Sequence, residues 1–403
     1  MSDKSVEESL LDSKQSDNKE AEKGGKAEPS MRELQQPELP VPLVVWRIFL
    51  VVAVFLYSSY TIFIHLCEHG GRLPFKTSSV VLLTEILKLI LSLLMFSIGP
   101  LRGPSGGIKN VIRAIQLEMR QNYHLTQDSD SSSKPVRPLP REFPCPPPLT
   151  WTQLAVIALP FSVPAITYAL NNNLGILIQL EMDPATYQVL GNFKILSTAI
   201  LFRLIIKRHL TTLQWFALFL LLSAGFTHSY ANLVANEVKA VDPLKPVLTR
   251  VDSSVLHITV TGIIMISIYC TISGFSGVYT EYVMKKRAQM SVHLQNSMLY
   301  VFGIILNGIA FIAEALKAGD GSIWNVTKGF SAHTWWLIVT QAVSGIFMGF
   351  IMKYSNNITR LFIISSAMLV TTLLAMLVFE LRLNQYFAAS YILVTLSLYL
   401  YHR

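Results

Sequence analysis

Long, nearly uninterrupted apolar blocks decide most of what this chain can become. Leu361 to Phe379 contains no charged residue, and Val80 to Ile98 is broken only by Thr84, Glu85, Lys88 and two serines. Runs of about 18 or more such residues are long enough to cross a hydrocarbon core about 30 Å thick. Apolar residues make up 51% of the chain and charged ones 14%, where a soluble protein carries about 25% charged residues. The blocks predict an all-α membrane protein with ten transmembrane helices, at 44–66, 77–98, 152–178, 184–206, 211–231, 258–284, 294–316, 334–354, 361–380 and 385–401.

An even number of spans puts both termini on one side, and charge says which. With a cytosolic N-terminus, the cytosolic loops and C-terminus after the first span hold fifteen Lys or Arg, against eight in the opposite loops. The positive-inside bias therefore predicts cytosolic N- and C-termini. The Asn325-Val326-Thr327 sequon falls in a loop that this topology makes lumenal, which makes Asn325 the glycosylation candidate. The net charge of +8 thus reads as topology, and no nucleic-acid partner is expected. The polar start of the chain does not resemble a cleavable leader, so the first apolar run is expected to act as an uncleaved anchor.

The expected organisation follows. Residues 1–43 form a disordered cytosolic tail, rich in acids and lacking aromatics up to residue 40. Residues 44–231 hold a first five-helix half that contains a cytosolic insert at 100–150. A lumenal loop at 232–257 leads to a second five-helix half at 258–403. Two sets of five spans must be inverted relative to each other, the common architecture of secondary transporters with a central site. Within the insert, Ile108 to Leu125 has the spacing of an interfacial helix. Cys67, Cys145 and Cys270 are too scattered for a disulfide framework and read as packing residues. The loops carry no metal-ligand cluster, glycine-rich phosphate loop or nucleophile–base arrangement, so neither an enzyme nor a cofactor is expected.

Polar groups inside the spans are the site candidates, because each is costly in hydrocarbon unless paired or hydrated. Glu85 and Lys88 share a helix face at a spacing of three; they form an internal ion pair or meet a polar ligand. Lys194 has no acid within a helical turn and should meet a distant carboxylate or an anion such as phosphate. Lys353 is either a second site cation or a snorkelling anchor. In Tyr168-Ala169-Leu170-Asn171-Asn172-Asn173 the amides need partners. Asn171 and Asn172 can read a base or ribose, Tyr168 or Tyr187 can stack on a base, and helix packing is the other reading. Arg203, Glu281 and Glu314 lie near span ends and read as interfacial.

These segments resemble the nucleotide-sugar transporters, within solute carrier family 35, subfamily A, which holds the CMP-sialic acid and UDP-galactose carriers. The resemblance rests on Thr84-Glu85-Ile86-Leu87-Lys88-Leu89, Tyr168 to Leu174, Tyr187-Gln188-Val189 with Lys194-Ile195-Leu196, and Leu213-Gln214-Trp215. Ser273 to Glu281, Met352 to Ile358 and Ser397 to Tyr401 complete it. Met182 to Leu190, Leu256 to Thr259 and Ile358 to Phe362 bring it nearest to the subfamily's fourth branch, one of UDP-sugar transporters. The resemblance implies the drug/metabolite-transporter fold, Golgi membrane residence, and exchange of a cytosolic nucleotide sugar for lumenal nucleoside monophosphate. The cargo would be a UDP-sugar, a CMP-sugar or a CDP-polyol. It implies nucleotide contacts at Tyr168, Asn171, Asn172, Tyr187, Lys194, Asn296, Tyr300 and Lys353, with Glu85 and Lys88 nearer the sugar. Lipid, and a homo-oligomer or sibling carriers, are the implied further partners. The seventh span departs from the family: Trp-x-Arg-Asn reads His293-Leu294-Gln295-Asn296, and Phe302 stands where a serine is common. That departure keeps a second reading open, a non-transporting Golgi scaffold for sibling transporters or glycosyltransferases.

Overall fold

Each apolar block folds as helix, because a bilayer leaves no water to satisfy backbone N–H and C=O groups. The computed structural model describes residues 41–67, 74–101, 107–128, 149–181, 184–240, 260–318, 326–379 and 385–403. The helices are α1 Leu43–Cys67, α2 Thr77–Leu101, α3 Ile108–Asp128, α4 Trp151–Ala158, α5 Ser162–Glu181, α6 Pro184–Gly191 and α7 Lys194–Ile205. They continue with α8 Thr212–Ala240, α9 Val260–Lys286, α10 Val292–Ala318, α11 Ala332–Tyr354, α12 Asn357–Phe379 and α13 Gln385–His402. No strand occurs among the described residues. The tail to residue 40, Asn325 and Cys145 lie outside the described residues.

Seven segments among the described residues are long and apolar enough to cross a membrane: Leu43–Ile64, Thr77–Leu101, Trp151–Asn172, Val260–Lys286, Val292–Leu316, Ala332–Tyr354 and Asn357–Leu374. The protein is a multi-pass membrane protein. The other three expected spans fall on α6 with α7, on α8 and on α13.

Two of the expected spans are not continuous helices. Residues 152–178 divide into α4, a 3-10 turn at Leu159–Phe161, and α5. Pro160 and Pro164 flank the change, and proline removes the backbone donor that a regular helix needs. Residues 184–206 break at Asn192 and Phe193, so that Lys194 opens a new helix, α7. The Asn192 amide fills the space beside Gly225, where an added Cβ would sit 2.7 Å from its Oδ1, and Asn192 Nδ2 donates to Ser229 Oγ at 3.1 Å. Only a glycine on α8 lets this break lie so close. The fifth expected span also runs further than its apolar block, to Ala240, into the expected lumenal loop.

Helices in lipid gain little from burying apolar surface against one another, so close packing and interhelical hydrogen bonds hold them. Gly274 on α9 faces the α7 backbone: a Cβ there would lie 3.0 Å from Thr198 N. Hydroxyls tie the helices at intervals. Thr167 donates to Ser276 at 2.9 Å between α5 and α9. Ser197 donates to the Cys270 carbonyl at 2.8 Å between α7 and α9, and Ser92 to the His293 carbonyl at 2.8 Å between α2 and α10. Ser58 bridges α1 and α12 through the Ala367 carbonyl at 3.0 Å. Cys67 and Cys270 are buried free thiols that pack between helices.

Helix α3 is amphipathic and lies against the bundle. Val111, Ala114, Ile115, Met119 and Tyr123 pack on a cluster that includes Phe96, Met284, Met290 and Met352. Glu118 Oε2 accepts the Ser291 N–H at 3.0 Å, which fixes α3 to the turn between α9 and α10.

Candidate functional site

The residues marked out in the sequence fall into two groups. The first is a stripe along α10. Asn296 and Tyr300 lie four apart on α10, and Gly303 continues the face. Opposite them, Gly345, Gly349 and Lys353 repeat every four residues along α11. The small residues are what let polar side chains enter. A Cβ on Gly303 would lie 2.9 Å from Glu85 Oε2, and one on Gly345 would lie 2.7 Å from Lys88 Cδ. Glu85 and Lys88 form the ion pair that their spacing implies, and Lys88 Nζ sits 5.1 Å from the centre of the Tyr300 ring. Tyr300 is buried. The structure thus joins Glu85, Lys88 and Tyr300 across α2 and α10.

Further along the stripe, Asn296 is 1% exposed, and neither its Oδ1 nor its Nδ2 has a hydrogen-bond partner. Its amide lies against Gly349. A fully desolvated amide without a partner is costly, so it is a natural contact for a polar ligand. Lys353 is 3% exposed and donates to the Met290 carbonyl. This corrects the anchor reading: the ammonium turns into the protein instead of out to the interface.

The second group lies around α5, α6, α7 and α9. Tyr168 on α5 is half-buried, and its hydroxyl accepts from Arg360 on α12 at 3.4 Å. Asn171, one turn on, is 9% exposed with an Oδ1 that no hydrogen bond satisfies. Tyr187 packs at 5.8 Å, ring centre to ring centre, from Tyr269, against Gly175. Asn172 follows Asn171 on the helix, is exposed, and stands outside both groups. The Asn173 side chain is outside the described residues.

Lys194 is the first residue of α7. Among the described residues it has no carboxylate partner. The break lies beside α9, where the Cys270 thiol meets the Leu190 and Gly191 carbonyls at 3.8 and 3.9 Å.

Two members of this group were not marked out in the sequence: Tyr269, one helical turn before the Ser273–Gly277 patch, and Arg360, within Ile358-Thr359-Arg360. The structure also moves Glu281 from the interface to the interior. Glu281 is 0% exposed, receives Lys285 Nζ at 2.6 Å, and accepts the Asn357 N–H at 2.6 Å, capping α12 from α9. Arg203 is exposed, and Glu314 is exposed and accepts from Ser78 at 2.5 Å.

The altered seventh-span motif has a structural explanation. Gln295 is fully buried, and its Nε2 reaches the carbonyls of Met284, Arg287 and Met290 at 3.3, 2.5 and 3.2 Å. It closes the end of α9 and the following turn. Gln295 thus supplies a long donor side chain at that turn.

A helical bundle with interrupted spans and buried cations is the construction of a secondary transporter. A sequence profile described as nucleotide-sugar transporter matches residues 153–402, and the chain belongs to that family of membrane transporters. It is 34% identical over 379 residues to the Xenopus tropicalis protein named "Probable UDP-sugar transporter protein SLC35A4", an alignment covering 94% of this chain and 96% of that one. The human protein of that name is 34% identical over 357 residues, covering 89% and 94%. The Danio rerio protein is 30% identical over 373 residues, covering 93% and 98%. The family and these relatives are transporters, not enzymes.

Proposed function

We propose that the protein exchanges a cytosolic pyrimidine nucleotide-activated sugar for lumenal nucleoside monophosphate across a Golgi membrane. The chain crosses ten times, in two inverted halves of five spans, with both termini in the cytosol. The observation that carries the reading is Lys194. A cation with no acid partner among the described residues, at the start of a helix that begins inside an expected span, is costly until an anion joins it. Tyr168, Asn171 and Tyr187 stand in the same group, with one buried amide oxygen unpaired. That is the chemistry of a ligand with phosphate at one end and a nucleoside at the other. The relatives named for UDP-sugars support that cargo class.

Alternating access follows from rocking one half against the other around this site. The empty carrier holds its cations uncompensated and reorients slowly, which couples entry of one nucleotide to exit of another. Glu85, Lys88 and Tyr300 hold the sugar end. The scaffold reading drew its support from the seventh-span motif, and Gln295 meets backbone carbonyls rather than either site group. The test is uptake of labelled UDP- and CMP-sugars and CDP-polyols into liposomes, with and without internal UMP or CMP. Retention of full uptake by Lys194→Ala overturns the phosphate assignment.

A further inference from the structure

Helix α3 is not one of the expected spans, yet it is built against their ends. Phe96, Met284 and Met352, on which it packs, lie within the last two turns of α2, α9 and α11. The spans that flank it in sequence, Thr77–Leu101 and Trp151–Asn172, end and begin at that same place, and α4 packs on α3. The helix therefore lies where the bundle meets the membrane surface.

Helical spacing divides its side chains into rows. Val111, Ala114, Ile115 and Met119 take the bundle. Ile108 and Ile112, four apart, are 76% and 51% exposed. Lys109 and Arg113 follow them by one position each, and Arg120 stands seven beyond Arg113, so the three cations share the neighbouring side. Lys109 is exposed and the two arginines are half-buried. Glu118 lies on the opposite side of the helix from the cations and accepts the Ser291 N–H at 3.0 Å. That hydrogen bond and the packed row fix how α3 is rolled.

An exposed apolar row beside a basic one is the pattern of a helix lying in the plane of a bilayer. The isoleucines enter the acyl boundary, while Lys and Arg lay their stems along it and raise their charges to the headgroups. A phospholipid with net negative charge answers three cations, and a zwitterionic one has no net charge with which to do so.

We propose that Ile108 and Ile112, with Lys109, Arg113 and Arg120, make α3 a docking surface for anionic phospholipid of the membrane that the protein spans. The surface does not depend on what the protein carries. It is joined to a proposed site cation through one peptide group: the Met290–Ser291 peptide gives its N–H to Glu118 and accepts from Lys353 at its carbonyl. In the proposed orientation α3 lies on the cytosolic leaflet, where anionic lipid is concentrated.

The experiment puts a reporter on the exposed row. Full-length Ile112→Trp protein is reconstituted in phosphatidylcholine vesicles containing phosphatidylserine, with bromine on the acyl chains of one lipid or the other. Fluorescence quenching beyond that of the protein lacking the added Trp isolates position 112. Phosphatidylserine should be favoured over phosphatidylcholine there about fivefold or more, the scale of one cation near an anionic surface. In the same background, K109Q/R113Q/R120Q should bring the ratio close to one, and R113K/R120K should keep it. K207Q/R208Q/R403Q, which removes three exposed cations elsewhere, should leave it unchanged. A ratio near one in Ile112→Trp overturns the proposal. So does a ratio that survives K109Q/R113Q/R120Q, or one that falls equally in K207Q/R208Q/R403Q. If neither lipid quenches position 112, water or protein covers the row and the proposal falls.

Discussion

At the scale of residues, the same chemical type serves different purposes according to what it faces. Gln295 and Asn296 are neighbours and both are buried, yet Gln295 reaches three carbonyls and Asn296 reaches none. Gln295→Ala should therefore lower thermal stability, by about 1–3 kcal/mol for the carbonyls left unpaired, and leave nucleotide affinity as in wild type. Asn296→Ala should do the reverse, and a thermal melt beside a binding titration separates the two. Glu281→Gln leaves Lys285 buried without its partner, which costs about 3–5 kcal/mol where a buried pair is broken. Its melting temperature should fall well below that of the exposed-site control Arg203→Gln. Sequence made Glu85, Lys88 and Lys194 legible, because a charge inside an apolar run stands out by itself. It misplaced Glu281 and left two readings open for Lys353, since a position near the end of a span does not say whether the side chain turns out to water or into the protein. Arg360 was hidden for the same reason: it counts as a loop charge until α12 is seen to begin at Asn357.

At the scale of elements, apolar periodicity located the helices but not their interruptions. The two-piece character of residues 184–206 depends on Asn192 fitting beside Gly225, a contact between segments over thirty positions apart. The break is what puts Lys194 at a helix start. Close approach of α7 to α9 depends on Gly274 in a similar way, with the α7 backbone 3.0 Å from where a Cβ would be. Gly274→Ala should cost about 1–3 kcal/mol by overpacking, and Gly274→Leu should prevent recovery of monodisperse protein. Size-exclusion profiles and melts of the two variants check this. If Gly274→Leu behaves as wild type, the contact between α7 and α9 is not as described. Helix α3 was also legible, because its apolar and basic residues alternate at helical spacing. Its seat on the turn at Ser291 was not, since Glu118 carries no mark that sets it apart from other surface acids.

At the scale of the molecule, the chain is a multi-pass member of the nucleotide-sugar transporter family, and its parts agree in direction. Among the described residues, positive charge without an acid partner, unpaired amides and aromatic rings gather where expected spans are interrupted or carry glycine. The proposed orientation puts Asn325 in the lumen and leaves Asn357, which opens a second sequon with Ile358 and Thr359, buried at the cytosolic start of α12. Glycosidase treatment of protein from cells should shift its mobility, and Asn325→Gln should abolish the shift while Asn357→Gln should not. The central claim is exchange of nucleotide-linked cargo through the Lys194 site. It is tested most directly by uptake of labelled nucleotide sugar into liposomes containing the purified protein. The account predicts uptake that rises severalfold when UMP or CMP is enclosed, and that falls to the protein-free level in Lys194→Ala. Equal uptake with and without enclosed nucleotide, or full uptake by Lys194→Ala, would contradict it.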